Sequence, residues 1–124
     1  MANTDVALTT LTAGTLSADI LTTAEGGTSV ASGDTAVIDV QGDMRGVFFT
    51  FKNTSASTAT VTAGDSPPAL RAGLGATSAL SIPAGDCLLL TVEGARFCHD
   101  DGKVRITIGS NATIVGAYRL PRTV

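Results

Sequence analysis

NTSASTATVTAGDSPPALRAGLGATSALSIPAGDCLLLTVEGARFCHDDGKVRITIGSNATIVGAYRLP, residues 53–121, is a run of short β-prone segments cut by turn clusters. Within it, Thr58–Ala63 (TATVTA) alternates Thr with small or branched residues at period two, the mark of a half-buried strand. Gly64–Gly75 breaks the pattern. Pro67 and Pro68 cannot donate ladder hydrogen bonds, and Gly73 and Gly75 permit positive φ, so this segment reads as a shaped crossing loop. Ala79–Ile82 leads into the turn Pro83–Asp86, and Cys87–Val92, Ala95–His99, Lys103–Ile108 and Thr113–Leu120 follow as strands.

Upstream the punctuation is the same. Ala36–Gln41 (AVIDVQ) is a candidate strand, Gly42-Asp43 a turn, Gly46–Lys52 (GVFFTFK) a central strand, and Asn53–Ser57 another turn. No amphipathic stretch of helical period and length interrupts this series. Short strands with turns every 8–12 residues predict an all-β fold, a single β-sandwich or jelly-roll-like domain over residues 34–124.

Composition narrows the function classes. The 124 residues allow one domain with one core. Aromatics are only 4% and Trp is absent, so the core must rest on Val, Ile, Leu and Ala, with Phe48, Phe49, Phe51, Phe97 and Tyr118 as its large pieces. Charged residues make up 15%, below the usual quarter, which suits a chain that hides surface in an oligomer or assembly. The net charge is −3 and the eight Lys and Arg residues are scattered, which argues against direct nucleic-acid binding and against an anionic membrane surface. No apolar run approaches the roughly 20 residues a bilayer span needs, and residues 1–30 lack a secretory pattern, so the expected product is soluble and made in the cytoplasm.

Residues 1–33 differ from the rest, being rich in Thr, Ala, Ser and Gly with isolated apolar residues at Val6, Leu8, Leu11, Leu16, Ile20 and Leu21. VALTTLTAG (Val6–Gly14) has partial alternation and could form one strand. The segment reads as an extended N-terminal arm lying on its own subunit, a neighbour or a larger surface, or else as a flexible terminus. The six apolar residues are the candidate partner-binding positions.

Reactive centres are scarce. His99, Asp100 and Asp101 read as a turn joining two strands rather than a metal cluster. If Glu93-Gly94 is a two-residue hairpin loop, Cys87 and His99 point to opposite faces, which breaks a thiol–imidazole dyad. The same register sets Cys87 and Cys98 diagonally, too far apart for a bridge, and predicts two free thiols. Asp65, Asp86, Asp100 and Asp101 are loop carboxylates without the alternating oxygen ligands of a calcium loop. No catalytic residue, cofactor or metal is expected.

The wording of Asn53–Ala69 (NTSASTATVTAGDSPPA), Ile82–Gly85, Ala95–Phe97, Asp101-Gly102 and Ala117–Pro121 resembles small β-sandwich virion proteins of tailed bacteriophages, above all head-decoration (cement) proteins. That resemblance covers the C-terminal two thirds of the chain. It implies a non-enzymatic structural protein on the outer capsid surface of a virion, with the major capsid protein as partner and a homotrimer as the typical assembly. An extended arm could then attach by adding a strand to an exposed sheet edge on the shell. A head–tail connector, a tail component or a carbohydrate-binding module are the alternatives, the last weakened by the shortage of aromatics on which sugars stack.

Overall fold

The computed structural model describes residues 3–14, 27–43, 45–63, 80–91 and 102–121. Their ten strands are β1 (Asn3–Val6), β2 (Leu8–Thr10), β3 (Thr28–Val30), β4 (Thr35–Asp39), β5 (Val47–Asn53), β6 (Ala59–Ala63), β7 (Leu80–Ile82), β8 (Cys87–Leu90), β9 (Lys103–Ser110) and β10 (Thr113–Arg119). No helix occurs among the described residues. One sheet has the order β1-β4-β9-β6-β7 and the other β2-β10-β5-β8, with β3 beside the first half of β10. The two pack as a β-sandwich, the fold class the sequence predicts.

Alternation decides which face each sheet buries. In the first sheet Ala36 and Ile38, Val104, Ile106 and Ile108, Ala59 and Val61, and Ile82 point inward, while Thr35, Arg105, Thr107 and Thr60 occupy the intervening positions. The second sheet answers with Val47, Phe49 and Phe51 of β5, Val115 and Ala117 of β10, and Val30. Burying each of the larger side chains contributes about 1.5–3 kcal/mol, so a core almost without rings is held by many aliphatic contacts. Phe49 and Phe51 are its aromatic pieces among the described residues. Phe48 and Tyr118 depart from expectation: both are buried, yet their register places them on the opposite face of the second sheet, stacked with ring centroids 5.6 Å apart.

The chain changes sheet repeatedly, and four of the crossings lie at one end. The β3–β4, β5–β6, β7–β8 and β9–β10 connections each pass from one sheet to the other there. Asn53 ties two of them together. Expected in a turn, it is instead the last residue of β5 and fully buried. Its Nδ2 donates to Ser57 O (2.7 Å) and Ile82 O (2.9 Å), and its Oδ1 accepts from Ser55 N (2.9 Å) and Ser55 Oγ (2.7 Å). Its backbone joins the β7–β8 arch, with Asn53 N donating to Asp86 O and Gly85 N to Asn53 O. Asn111 Nδ2 adds a bond to Thr58 O from the β9–β10 arch.

Two glycines permit close approach. The β6–β9 register slips between Thr60 and Val61, leaving Gly109 as the extra residue of a bulge. A Cβ there would collide with Thr60 Oγ1. At Gly116 a Cβ would meet Thr50 Oγ1 at 2.5 Å and Tyr118 Cε2 at 2.7 Å. Tyr118 thus folds back along its own strand over Gly116, beside the buried Thr50.

The N-terminal segment joins this framework. Rather than one strand, Val6–Gly14 divides at Ala7: β1 pairs with β4 in the first sheet, and β2 pairs with β10 in the second. Val6 and Leu8 keep the same parity, so both turn inward as the strand switches sheets. Thr28–Val30, which no sequence signal marked, pairs with β10 and places Val30 in the core. The strand expected at residues 95–99 and the crossing loop at 64–75 lie outside the described residues.

Candidate interaction surface

The apolar arm residues separate into three groups. Val6 is 4% exposed and belongs to the core. Leu8 lies opposite Ala117 and packs partly buried against that core. Leu11 is half-buried just past β2, where its N–H donates to Arg119 O at 2.8 Å. Leu16, Ile20 and Leu21 lie outside the described residues. Val6 and Leu8 therefore anchor the segment to its own sandwich. The signal for this was present in their even spacing, but their partners Ile38 and Ala117 are far away in sequence, and no local pattern names them.

Among the described residues, the large apolar side chains most open to solvent are Leu88 and Leu89 of β8, 42% and 50% exposed, and Leu120 after β10, 51% exposed. Among the described strands β8 is the last in the second sheet's order, and Leu88 and Leu89 alternate across its two faces. An apolar strand at a sheet rim can pair with, or pack against, another protein. All aromatics among the described residues are buried, including Tyr118 at 3%, so none of them offers a ring for a sugar to stack on.

The opposite end of the sandwich is closed by an ion-pair network. Arg119 shares the inward parity of Val115 and Ala117, and its side chain is only 13% exposed. Nη2 donates to the carbonyls of Val40 and Asp43, and Nη1 lies 3.4 Å from Asp43 Oδ2. One of the chain's eight cations is thereby committed to holding the β4–β5 crossing. On the solvent side Arg45 Nε and Nη2 reach the same carboxylate at 3.0 and 3.1 Å. That hydrogen bond, together with the charge of Asp43, raises the Arg45 guanidinium above its already high ordinary pKa.

A groove of about 350 Å³ runs along the rim where β1, β4 and β9 meet, lined by Asp5, Val6, Ala7, Val37, Asp39 and Lys103. Asp39 stands opposite Lys103 across the strand pair, and its Oδ1 accepts the Gln41 N–H at 2.9 Å. Among the described residues no histidine, cysteine, serine or threonine lines this groove, so what they offer is charge and shape rather than a nucleophile with its base. Three or more His, Cys, Asp or Glu side chains in metal-binding proximity do not occur among the described residues. Cys87 sits opposite Lys52 of β5. Cys98, His99, Asp100 and Asp101, on which the dyad, bridge and turn expectations turn, lie outside the described residues.

No protein-family model, no curated protein and no solved structure matches this chain.

Proposed function

We propose that this chain is a non-enzymatic structural protein of a tailed-phage virion, a decoration protein that binds the outer capsid surface and stabilises the shell. What carries this reading is the coincidence of two features. The phrasing of Asn53–Pro121 resembles head-decoration proteins, and the chain folds as the β-sandwich that the resemblance implies. A charged fraction of 15% suits a surface that is covered on assembly. The partner is the major capsid protein, and a trimer fits three-fold or quasi-three-fold sites on a shell. With Val6 and Leu8 turned into the sandwich, attachment falls to the other apolar positions of residues 1–33, namely Leu11, Leu16, Ile20 and Leu21. Many copies on one shell supply avidity, so each contact can be modest.

The test is co-sedimentation of the purified chain with shells of its own virus's major capsid protein, alongside its mass in solution. Saturable binding at a fixed number of copies per capsomer, with shells that better survive heating, is the expected result. Absence of binding to shells overturns the reading, and binding to connector or tail complexes instead would move the chain to another place in the virion.

A further inference from the structure

We infer that the cleft between the rims of β4 and β10 is a strand-exchange site, whose second occupant is residues 3–10 of another copy of this chain. The inference rests on how β1 and β2 are seated and does not depend on any capsid. Among the described strands β1 is the outermost of its sheet and β2 flanks β10 at the rim of the other. Withdrawing residues 3–10 therefore breaks pairing with β4 and β10 only, and leaves every other described register in place. These two pairings are also parallel, whereas all other pairings among the described strands are antiparallel. Parallel pairing is slightly weaker per residue.

Withdrawal is tolerable for the strap and costly for the cleft. Of its side chains only Val6 enters the core and Leu8 packs partly against it; Asn3, Thr4, Asp5, Thr9 and Thr10 are polar. The vacated cleft would bare the edges of both β4 and β10 and open the core beside Ile38 and Ala117, the residues opposite Val6 and Leu8. What refills it must be extended, must carry two apolar residues two positions apart, and must change sheet between them. The same strap from a second copy meets those demands by identity.

The connection permits the exchange. Residues 11–27 join β2 to β3, seventeen residues with an extended reach of about 55 Å. Thr10 lies opposite Arg119 and Thr28 opposite Val115, so the gap to be bridged is about 14 Å along β10. A strap in its own sandwich and a strap in a neighbour's make the same contacts. The balance is then set by the effective concentration of the tethered strap, of about millimolar order for a short link. Crowding of copies, or a link too short to span the gap and double back, tips it toward exchange.

Asn3 and Thr35 are register partners on the solvent face, so cysteines at these positions report the pairing. In a Cys87→Ser, Cys98→Ser background, Asn3→Cys and Thr35→Cys are placed either in one chain or separately in two chains of distinguishable size. The one-chain version should oxidise within itself at micromolar concentration. Mixed single variants should form a covalent heterodimer as total chain approaches about 1 mM. Deleting residues 15–26 leaves five linking residues, about 17 Å, which must also double back because β2 and β3 run oppositely along β10. That deletion should bring the heterodimer in at a concentration at least about tenfold lower. Interchain product absent at every concentration and from the shortened chain would overturn the exchange. Failure of the one-chain version to cross-link would remove the β1–β4 pairing itself, and the proposal with it.

Discussion

Replacing Asn53 with alanine should be among the most damaging single changes in this chain, because one buried amide serves two sheet-to-sheet arches. The residue is 0% exposed, and truncation removes four hydrogen bonds at once. They do not weigh equally. The Ile82 carbonyl loses its bond in a buried setting, which costs about 1–3 kcal/mol. Ser55 N and Ser55 Oγ lose their acceptor in a half-buried setting, at about 0.5–1.5 kcal/mol for the backbone donor and less for the hydroxyl. Ser57 O keeps Ser55 Oγ as a donor at 2.7 Å, so its loss is small. The sum is about 3–4 kcal/mol, a large part of the 5–15 kcal/mol by which a domain is usually stable. Urea unfolding followed by circular dichroism should show a lower midpoint with an unchanged slope, and the melting temperature should drop by about 10–15 °C. Ser55→Ala, which spares both donated bonds, should cost about 1 kcal/mol. Asn53→Asp adds a signature in pH. Burial raises the carboxyl's folded-state pKa above its unfolded value near 3.9, so the folded state takes up the proton and stability recovers as pH falls from 7 toward 4. An Asn53→Ala protein within about 1 kcal/mol of the parent, or no worse than Ser55→Ala, would refute the claim that this amide joins the arches.

Three further changes probe other parts of the same framework. Gly116→Ala drives a methyl to within 2.5 Å of Thr50 Oγ1 and 2.7 Å of Tyr118 Cε2, and should cost about 2 kcal/mol, partly recovered by Thr50→Ala. Tyr118 is the sole Tyr and Trp is absent, so tyrosine fluorescence intensity should change in that variant; an unchanged intensity and midpoint would count against the packing. Arg119→Met should lower stability by about 2–3 kcal/mol in urea melts, and Arg119→Lys should not restore it, because a point charge cannot reach both carbonyls and Asp43 as the planar fork does. Val6→Ala should cost about 2 kcal/mol by the same assay if residues 3–10 seat in the sandwich, and nothing measurable if they do not.

Strand periodicity and turn chemistry made most of the framework legible. TATVTA, GVFFTFK and KVRITI announce their inner faces by alternation, and β4, β5, β6, β7, β9 and β10 fall within a residue or two of where the pattern sets them. Harder to see were features that depend on who faces whom. Asn53 looks like a turn residue because it opens the polar run Asn53-Thr54-Ser55, and only the approach of Ile82 and Asp86 from a separate arch turns it into a buried crosspiece. Arg119 looks like a surface cation, since nothing nearby in sequence reveals that Val40 and Asp43 will cap it. Phe48 and Tyr118 read as core on hydrophobicity alone. Their parity relative to Phe49 and Ala117 was available in the sequence and would have placed them on the other face.

The N-terminal segment is the place where legibility and function meet. Thr, Ser and Gly are frequent in residues 1–33, and the large apolar residues there are isolated rather than clustered, so the segment does not build a core by itself. It need not do so, because β4 and β10 each offer a row of backbone donors and acceptors at a sheet rim, and a strand fills such a row with little help from its side chains. Two apolar residues at even spacing then suffice to fix register and face, which is what Val6 and Leu8 provide. An element held this way is bound chiefly by main-chain bonds that another rim could supply equally well. The same economy that lets a polar segment close the sandwich therefore leaves it the most readily transferred part of the fold, whether to a second copy or to the edge of a partner's sheet.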